Sequence, residues 1–302
     1  MSKASLRFLA DRYDQLEIRY DEAERLAWCF YKPRFRPCFN IALLREIRRF
    51  QLAVIAACRG HDETTTPVRF VVWGSRIPGV YNLGGDLGFF AGLIRSRNWE
   101  DLRHYAVACI DVVYPNSVNL DSPLTTIAMV QGTALGGGFE AAISSSVVIA
   151  EKRAQMGLPE IMFNLFPGMG AYSFLTRRMP AIEAERIILS GDLWTAEQLH
   201  QKAVVDVLAE PGAGEDAVRA YVHRQQRFGN GTAALLKARQ RVTPITYEEL
   251  SEVALIWVEA AMRLTDKDLR VMDRLVRAQS RLSQVAEEEP AKLPSNVVSL
   301  SL

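Results

Sequence analysis

The first 180 residues alternate between short apolar runs and longer stretches with helical spacing. Runs rich in β-branched and aromatic residues predict strands at residues 16–22, 26–33, 68–75, 125–132 and 147–150. Helical spacing of apolar residues begins after Asn40, a favourable N-cap, and ends at Gly60, and two further helical patterns follow at 87–96 and 99–113. Because strand, loop and helix recur in this order, the sequence predicts an α/β fold with parallel strands.

From residue 181 onward the apolar spacing is almost entirely helical. Helices are predicted at residues 182–191, 195–204, 215–228, 246–264 and 266–289. We therefore expect residues 1–180 to form an α/β core and residues 181–286 to form a helical C-terminal region. Residues 287–302 combine prolines and serines without sustained periodicity, which predicts a flexible tail.

Composition narrows the classes of function. The 302 residues are 49% hydrophobic, which is ample for a buried core, and 36 Lys and Arg against 35 Asp and Glu leave a net charge of +1. No global field therefore favours nucleic acid or an acidic membrane. The four cysteines are scattered without metal-ligand spacing, which indicates no metal site and a reducing cytoplasm. No apolar run reaches the roughly 18 residues that membrane insertion needs.

A run of three glycines leads into an apolar segment with one carboxylate in 135-LGGGFE-140. A linker is disfavoured because the flanks, 126–130 and 139–144, are both apolar enough to be buried. Glycines before a buried helix let backbone N–H groups approach an anionic oxygen closely, which indicates one half of an oxyanion hole. Phosphate binding uses the same physics, but the segment lacks both the G-x-x-x-x-G-K-[ST] and the G-x-G-x-x-G patterns, so a nucleotide site is the weaker alternative.

Two further segments extend this motif, 84-GGD-86 and 157-GLPE-160. The first follows a predicted strand and could supply a second N–H donor. The second places Glu160 among apolar neighbours, where burial raises the pKa of a carboxyl group and allows proton transfer near neutral pH. Glu140 and Glu160 facing one substrate would form an acid/base pair. Helix capping or pairing with an arginine is the alternative for either glutamate.

Nucleophilic catalysis has little support in this sequence. The chain contains no G-x-S-x-G, and no cysteine has a histidine at a recognisable spacing. The histidines and cysteines are therefore expected to be structural or solvated.

Together, 84-GGD-86, 135-LGGGFE-140 and 157-GLPE-160 resemble the crotonase (enoyl-CoA hydratase) superfamily in order and interval, over residues 10–260. The longer stretches around them, 80–87, 131–142 and 157–175, are similar to bacterial diffusible signal factor synthases. The resemblance implies an α/β fold built as a spiral of ββα units. It also implies that the helical C-terminal region builds a homotrimer, or a dimer of trimers.

The resemblance further implies roles for particular residues. The N–H groups of Gly85 and Gly137 would bind the carbonyl oxygen of a thioester substrate. Glu160 would abstract the C2 proton of a 3-hydroxyacyl thioester and Glu140 would protonate the leaving hydroxyl group, although the two could share or exchange these tasks. The candidates for an acyl pocket are Leu135, Met169 and Trp257, and for Trp257 a place in the helix core or a trimer contact is an equal alternative.

The implied function is that of a diffusible signal factor synthase. Such an enzyme dehydrates 3-hydroxyacyl-ACP and hydrolyses the thioester, which releases a cis-2-unsaturated fatty acid as a quorum-sensing signal. No cofactor is implied apart from the ACP phosphopantetheine or CoA that carries the acyl group, and a regulatory sensor protein is an expected partner. Two alternatives stay open: a plain enoyl-CoA hydratase or isomerase that leaves the thioester intact, and a non-catalytic acyl-binding regulatory protein.

Overall fold

The computed structural model describes residues 6–33 and 36–288, and within these ranges the chain forms ten strands and eleven α-helices. The strands are β1 (Leu16–Asp21), β2 (Leu26–Tyr31), β3 (Phe70–Ser75), β4 (Val80–Asn82), β5 (Thr125–Val130), β6 (Thr133–Leu135), β7 (Val147–Glu151), β8 (Gln155–Gly157), β9 (Leu193–Thr195) and β10 (Val207–Ala209). The helices are α1 (Arg7–Ala10), α2 (Ile41–Cys58), α3 (Leu87–Arg95), α4 (Trp99–Ser117), α5 (Gly137–Ile143), α6 (Ala171–Thr176), α7 (Ala181–Ser190), α8 (Ala196–Gln201), α9 (Gly214–Val242), α10 (Tyr247–Ala261) and α11 (Asp266–Glu288). Residues 289–302, most of the expected flexible tail, lie outside the described residues.

The strands form two sheets that wind as a spiral. The larger sheet has the order β1-β2-β3-β5-β7-β10 and the smaller one the order β4-β6-β8-β9. The pairs β3–β4, β5–β6 and β7–β8 each give one strand to the larger sheet and the next to the smaller one, and each pair is followed by helices. Only the β1–β2 and β8–β9 pairings are antiparallel among the described strands. The ββα spiral that the motifs implied is therefore present, with mixed sheets.

The central strands of the larger sheet are apolar because both of their faces are covered. All residues of β2, β3 and β7 are buried, which explains why these strands read as continuous apolar runs rather than alternating ones. One face packs on the main core with α2 and α4, and the other face packs on α9 through Val218, Tyr221 and Val222. The C-terminal helices α10 and α11 contribute to the same main core.

The structure differs from the predicted elements in several places, and the short strands β4, β6 and β8 were not predicted. The segment after residue 180 also gives β9 and β10 to the sheets, and each has only three residues, too few to display a period-two pattern. Helix α4 was expected to end at residue 113 but continues through Pro115 to Ser117, because a proline this near the C-terminus sacrifices only one helical hydrogen bond. Helix α9 was expected to end at residue 228 but runs through two glycines to Val242.

The described residues contain neither a membrane-spanning helix nor a metal-binding cluster. No helix in residues 6–33 and 36–288 is long and apolar enough to cross a membrane. Within the same ranges, no group of three His, Cys, Asp or Glu side chains is arranged to hold a metal ion.

Candidate active site

The glycine run forms the tight connection between β6 and α5, and a different neighbour packs against each glycine. Gly136 has φ 50° and ψ −124°, a conformation that strongly favours glycine. A Cβ atom on Gly136 would lie 2.3 Å from Glu160 Oε1, one on Gly137 would lie 2.7 Å from Met169 Sδ, and one on Gly138 would lie 2.1 Å from the Asn82 carbonyl oxygen. The run is therefore a close-packed junction, and the linker interpretation is wrong.

Glu140 lies in the first turn of α5 and is 1% exposed. Its Oε1 accepts hydrogen bonds from the backbone N–H groups of Met169 at 2.7 Å and Ala171 at 2.9 Å. Burial raises the pKa of Glu140 to about 7, and the two N–H donors act in the opposite direction because they stabilise the carboxylate. Glu140 is thus a buried carboxyl group that can be ionised near neutral pH.

Glu160 faces the same space from the 3₁₀ turn Pro159–Phe163, which directly follows β8. Its Oε1 lies against Gly136, whereas its enclosed Oε2 has no hydrogen-bond partner among the described residues. Burial raises the pKa of Glu160 well above its usual value, and the negative charge of Glu140 raises it further. Because only Glu140 has two backbone donors on its carboxylate, we assign the negative charge to Glu140 and the proton to Glu160.

Two backbone N–H groups lie side by side next to these carboxyl groups. The nitrogen of Gly85 is 3.5 Å from the position of a Cβ atom on Gly137, and a Cβ atom on Gly84 would lie 3.1 Å from the nitrogen of Gly137. Gly137 is the first residue of α5, so its N–H has no acceptor within the helix. Within residues 6–33 and 36–288, neither Gly85 nor Gly137 donates a backbone hydrogen bond in the loops and caps. The two donors predicted from the sequence are therefore brought together and free to bind an oxygen.

The three candidates for the acyl pocket differ in how directly they adjoin the N–H donors of Gly85 and Gly137. Met169 is 6% exposed, contacts Gly137 through its sulfur and donates its N–H to Glu140. Leu135 ends β6 immediately before the glycine run, and its side chain is half-buried. Trp257 in α10 lies against Gly168 and makes an edge-on contact with Phe90, whose centroid is 5.2 Å away. Met169 and Leu135 thus adjoin the site directly, and Trp257 reaches it through Gly168 and Phe90.

Sequence reasoning missed the residues that support the first glycine pair. Asn82 accepts the N–H of Gly84 with its Oδ1 at 2.8 Å, and the Phe90 ring would lie 2.2 Å from a Cβ atom on Gly85. An asparagine two residues before a glycine is a recognised turn signal, so Asn82 could have been found from 82-NLGGD-86. The contact of Phe90 with Gly85 had no such local signal, because it depends on how α3 folds back on the loop.

The arrangement combines two carboxyl groups that share one proton with two N–H donors for a developing negative charge. Donors that point at an oxygen stabilise the charge that grows there when a neighbouring carbon gains or loses a proton. One ionised and one protonated carboxyl group can take a proton from one position and deliver another elsewhere. Such a site suits proton transfer next to a carbonyl group.

Comparison with known proteins agrees with this chemistry. A profile of the enoyl-CoA hydratase/isomerase family matches residues 62–239, more than half of the chain. The chain is 28% identical over 191 residues to the mitochondrial methylglutaconyl-CoA hydratase of Rattus norvegicus, covering 63% of this chain and 57% of that protein. It is 42% identical over 79 residues to the 2,3-dehydroadipyl-CoA hydratase of Escherichia coli, covering 26% of this chain and 31% of that protein. The matches thus span less than two thirds of the length of these relatives.

Solved structures show the same fold. Human mitochondrial delta3-delta2-enoyl-CoA isomerase matches with a TM-score of 0.72 at 16% identity, covering 89% of this chain and 99% of that chain. Enoyl-CoA hydratase from Bacillus halodurans matches with a TM-score of 0.71 at 17% identity, covering 88% of this chain and 100% of that chain. The α/β crotonase fold with its helical C-terminal region is confirmed. By its sequence profile, the chain belongs to the enoyl-CoA hydratase/isomerase family.

Proposed function

We propose that the chain catalyses the reversible addition of water to the 2,3-double bond of an acyl thioester. The observation that carries this proposal is the pair of enclosed carboxyl groups, Glu140 and Glu160, beside the unused N–H groups of Gly85 and Gly137. Each group has a task in such a reaction, and no additional nucleophile is needed.

In the hydration direction, the carbonyl oxygen accepts hydrogen bonds from Gly85 and Gly137. The Glu140 carboxylate takes a proton from water as the water oxygen bonds to C3, and the electrons of the double bond move onto the carbonyl oxygen. Glu160 then delivers its proton to C2, and the carbonyl group is restored. Loss of one oxyanion donor costs about 3–4 kcal/mol in comparable enzymes, and each acid or base contributes about 10²–10⁴ in rate.

Dehydration of a 3-hydroxyacyl thioester is the reverse of these steps. Glu160 would then take the C2 proton and Glu140 would protonate the leaving hydroxyl group, which is the assignment expected from the sequence. The assigned resting protonation, with the charge on Glu140, corresponds to the start of hydration. The same pair serves both directions because it holds one proton in total.

A CoA thioester is the substrate class with the best support. The named relatives from R. norvegicus and E. coli are both hydratases of CoA thioesters. The neighbourhood of the glutamates is apolar, since Phe139, Leu165, Met169 and Trp257 are all buried. Apolar walls suit an acyl chain and limit the entry of stray water.

A second candidate is the diffusible signal factor synthase, which dehydrates 3-hydroxyacyl-ACP and then hydrolyses the thioester. The motif resemblance supports it, and so does the unpartnered Oε2 of Glu160 near the oxyanion donors. After dehydration Glu160 holds the C2 proton; once it has passed this proton to solvent, its carboxylate could take a proton from a second water as the water oxygen bonds to the carbonyl carbon. Collapse of the tetrahedral intermediate would break the C–S bond, and Glu160 would return the proton to the departing thiolate, so one site would serve both steps. The homotrimer, or dimer of trimers, is proposed from the superfamily resemblance for either candidate, whereas the regulatory sensor protein belongs to this second candidate.

Mass spectrometry of products tests both candidates. The purified protein is incubated with a medium-chain 2-enoyl-CoA and, separately, with the matching 3-hydroxyacyl-ACP, beside Glu140→Ala and Glu160→Ala. A hydroxyacyl thioester formed only by the wild type supports the hydratase, and a free unsaturated acid supports the synthase. A folded wild type that binds the thioesters and forms neither product would contradict both candidates and favour the non-catalytic acyl-binding alternative.

A further inference from the structure

The peptide group between Gly84 and Gly85 is held by a hydrogen bond to its carbonyl oxygen. The backbone N–H of Phe39 donates to the carbonyl oxygen of Gly84 at 2.7 Å, and Phe39 and Gly85 form a parallel bridge. In a planar trans peptide the C=O and N–H groups point in opposite directions. Fixing the Gly84 carbonyl therefore fixes the direction of the Gly85 N–H, and a hydrogen-bonded carbonyl also strengthens the N–H of the same peptide as a donor.

One hydroxyl group joins the two ends of this arrangement. Tyr105 in α4 is 2% exposed, and its hydroxyl donates to the carbonyl oxygen of Phe39 and accepts the N–H of Asp86 at 3.3 Å. Phe39 holds the peptide before Gly85, and Asp86 belongs to the peptide after it. A single side chain thus fastens the backbone on both sides of the oxyanion donor.

The ring of Tyr105 reinforces the same point. It packs edge-on against Phe90 at a centroid distance of 4.9 Å, and the Phe90 ring lies directly under Gly85. The Phe90 ring fills the space behind Gly85, and the Tyr105 ring packs against Phe90 and keeps it in that position. The donor is therefore supported by hydrogen bonds along the backbone and by aromatic packing beneath it.

We propose that Tyr105 is a positioning residue that aims the Gly85 N–H at the substrate carbonyl oxygen. The inference rests on the proposed function, because it assumes that Gly85 binds a thioester carbonyl. Tyr105 touches no reacting atom: its hydroxyl acts through Phe39 and Asp86, and its ring acts through Phe90. Since a misplacement of about 1 Å can cost about 10²-fold in rate, loss of the hydroxyl is expected to lower kcat by about 10- to 100-fold.

The test compares Tyr105→Phe with Tyr114→Phe. Tyr114 lies in the same helix, but its ring packs against Tyr247 rather than the glycine loop, so it is a matched control. For each variant we would measure kcat, KM, Tm and the infrared stretching frequency of the ¹³C-labelled carbonyl group of a bound enoyl thioester. We expect Tyr105→Phe to lower kcat, to change KM by less than about threefold and to raise the carbonyl frequency toward its value in water, because the bond is less polarised.

Each result of these measurements either supports or overturns the positioning role of Tyr105. Wild-type kcat and carbonyl frequency in folded Tyr105→Phe would overturn the proposal, as would an equal loss of kcat in Tyr114→Phe. If Tyr105→Phe does not fold, 4-aminophenylalanine at position 105 replaces it, since this residue keeps the donor to Phe39 but accepts only weakly from Asp86. For this variant we expect a loss of kcat smaller than about 10- to 100-fold and a small rise in the carbonyl frequency. A kcat and a carbonyl frequency equal to those of the wild type would overturn the proposal. Failure of the proposed function would look different, because the wild type itself would neither turn over nor polarise the carbonyl.

Discussion

Replacement of Gly136 by alanine tests the geometry of the site most directly. The new Cβ atom would lie 2.3 Å from Glu160 Oε1, whereas real Cβ contacts are essentially never closer than 3.0 Å. The carboxyl group would therefore have to retreat by about 0.7 Å, or the glycine turn would have to open by a similar amount. Either movement separates Glu160 from the position in which we propose that it delivers a proton to C2.

The expected effect has two separable parts. A displacement approaching 1 Å costs about 10²-fold in rate, which corresponds to about 2.7 kcal/mol of activation free energy. Because φ at position 136 is positive, an alanine there adds about 1–3 kcal/mol of backbone strain to the folded state. This strain lowers Tm by several degrees in a chain of this size. The rate effect is specific to the site, and the strain is not.

Gly212→Ala is the matched control for strain. Gly212 has φ 82°, and a Cβ atom there would meet nothing within 4 Å. We expect both variants to lose several degrees of Tm, but only Gly136→Ala to lose about 10²-fold in kcat for hydration, followed by the ultraviolet absorbance of the enoyl thioester. A kcat within about threefold of wild type in folded Gly136→Ala would refute the placement of Glu160 as a reacting group.

Four further predictions concern the activity of the carboxyl pair, its titration, the aromatic packing of Trp257 and the buried turn at Asn119. Glu140→Gln and Glu160→Gln should each lower kcat by about 10²–10⁴ with little loss of Tm, measured by steady-state kinetics and thermal melts. Burial raises the pKa of Glu140 to about 7 and that of Glu160 well above its ordinary value, so the unfolded chain releases both protons at lower pH than the folded chain does. The free energy of unfolding should therefore fall from about pH 4.5 to about 7 through Glu140 and continue to fall at higher pH through Glu160. Thermal melts of the double Gln variant should lack this fall, and parallel pH curves for the variant and the wild type would contradict the assignment. Trp257→Ala removes the packing on Phe90 and Gly168 and should cost about 3–5 kcal/mol in chemical denaturation; a loss below about 1 kcal/mol would argue against this contact. Asn119 accepts bonds from the Thr126 N–H at 3.1 Å and the Ser146 hydroxyl at 2.7 Å, so Asn119→Ala should cost about 2–3 kcal/mol while kcat stays within about twofold; a large loss of kcat would connect this turn to the site instead.

Much of the fold was predictable because its signals are local. Strands β2, β3 and β5 and helix α2 have compositions and caps that specify their type without reference to the rest of the chain. The glycine run and Glu140 lie within six consecutive residues, so their joint role could be inferred from spacing alone. Glu160 was a candidate for a different local reason: a carboxylate among apolar residues is unusual.

The contacts between these segments could not be predicted from local pattern. Glu160 reaches Gly136 because β6 pairs with β8 in the register that sets Ala134 opposite Met156 and Leu135 opposite Gly157. Both strands have only three residues, so their pairing leaves almost no periodic trace in the sequence. The hydroxyl of Tyr105 depends similarly on a helix returning across the loop, which only the tertiary structure determines.

The close packing of the glycine run has a consequence for the evolution of the site. Gly136, Gly137 and Gly138 each abut a different partner, namely the Glu160 carboxyl group, a methionine sulfur and a backbone carbonyl of another segment. A side chain at any one of them would require a separate compensating change, and for Gly138 the neighbour is main chain, which no substitution can shorten. New specificities are therefore expected to arise by drift in the surrounding walls, such as Leu135 and Met169, while the three glycines stay unchanged.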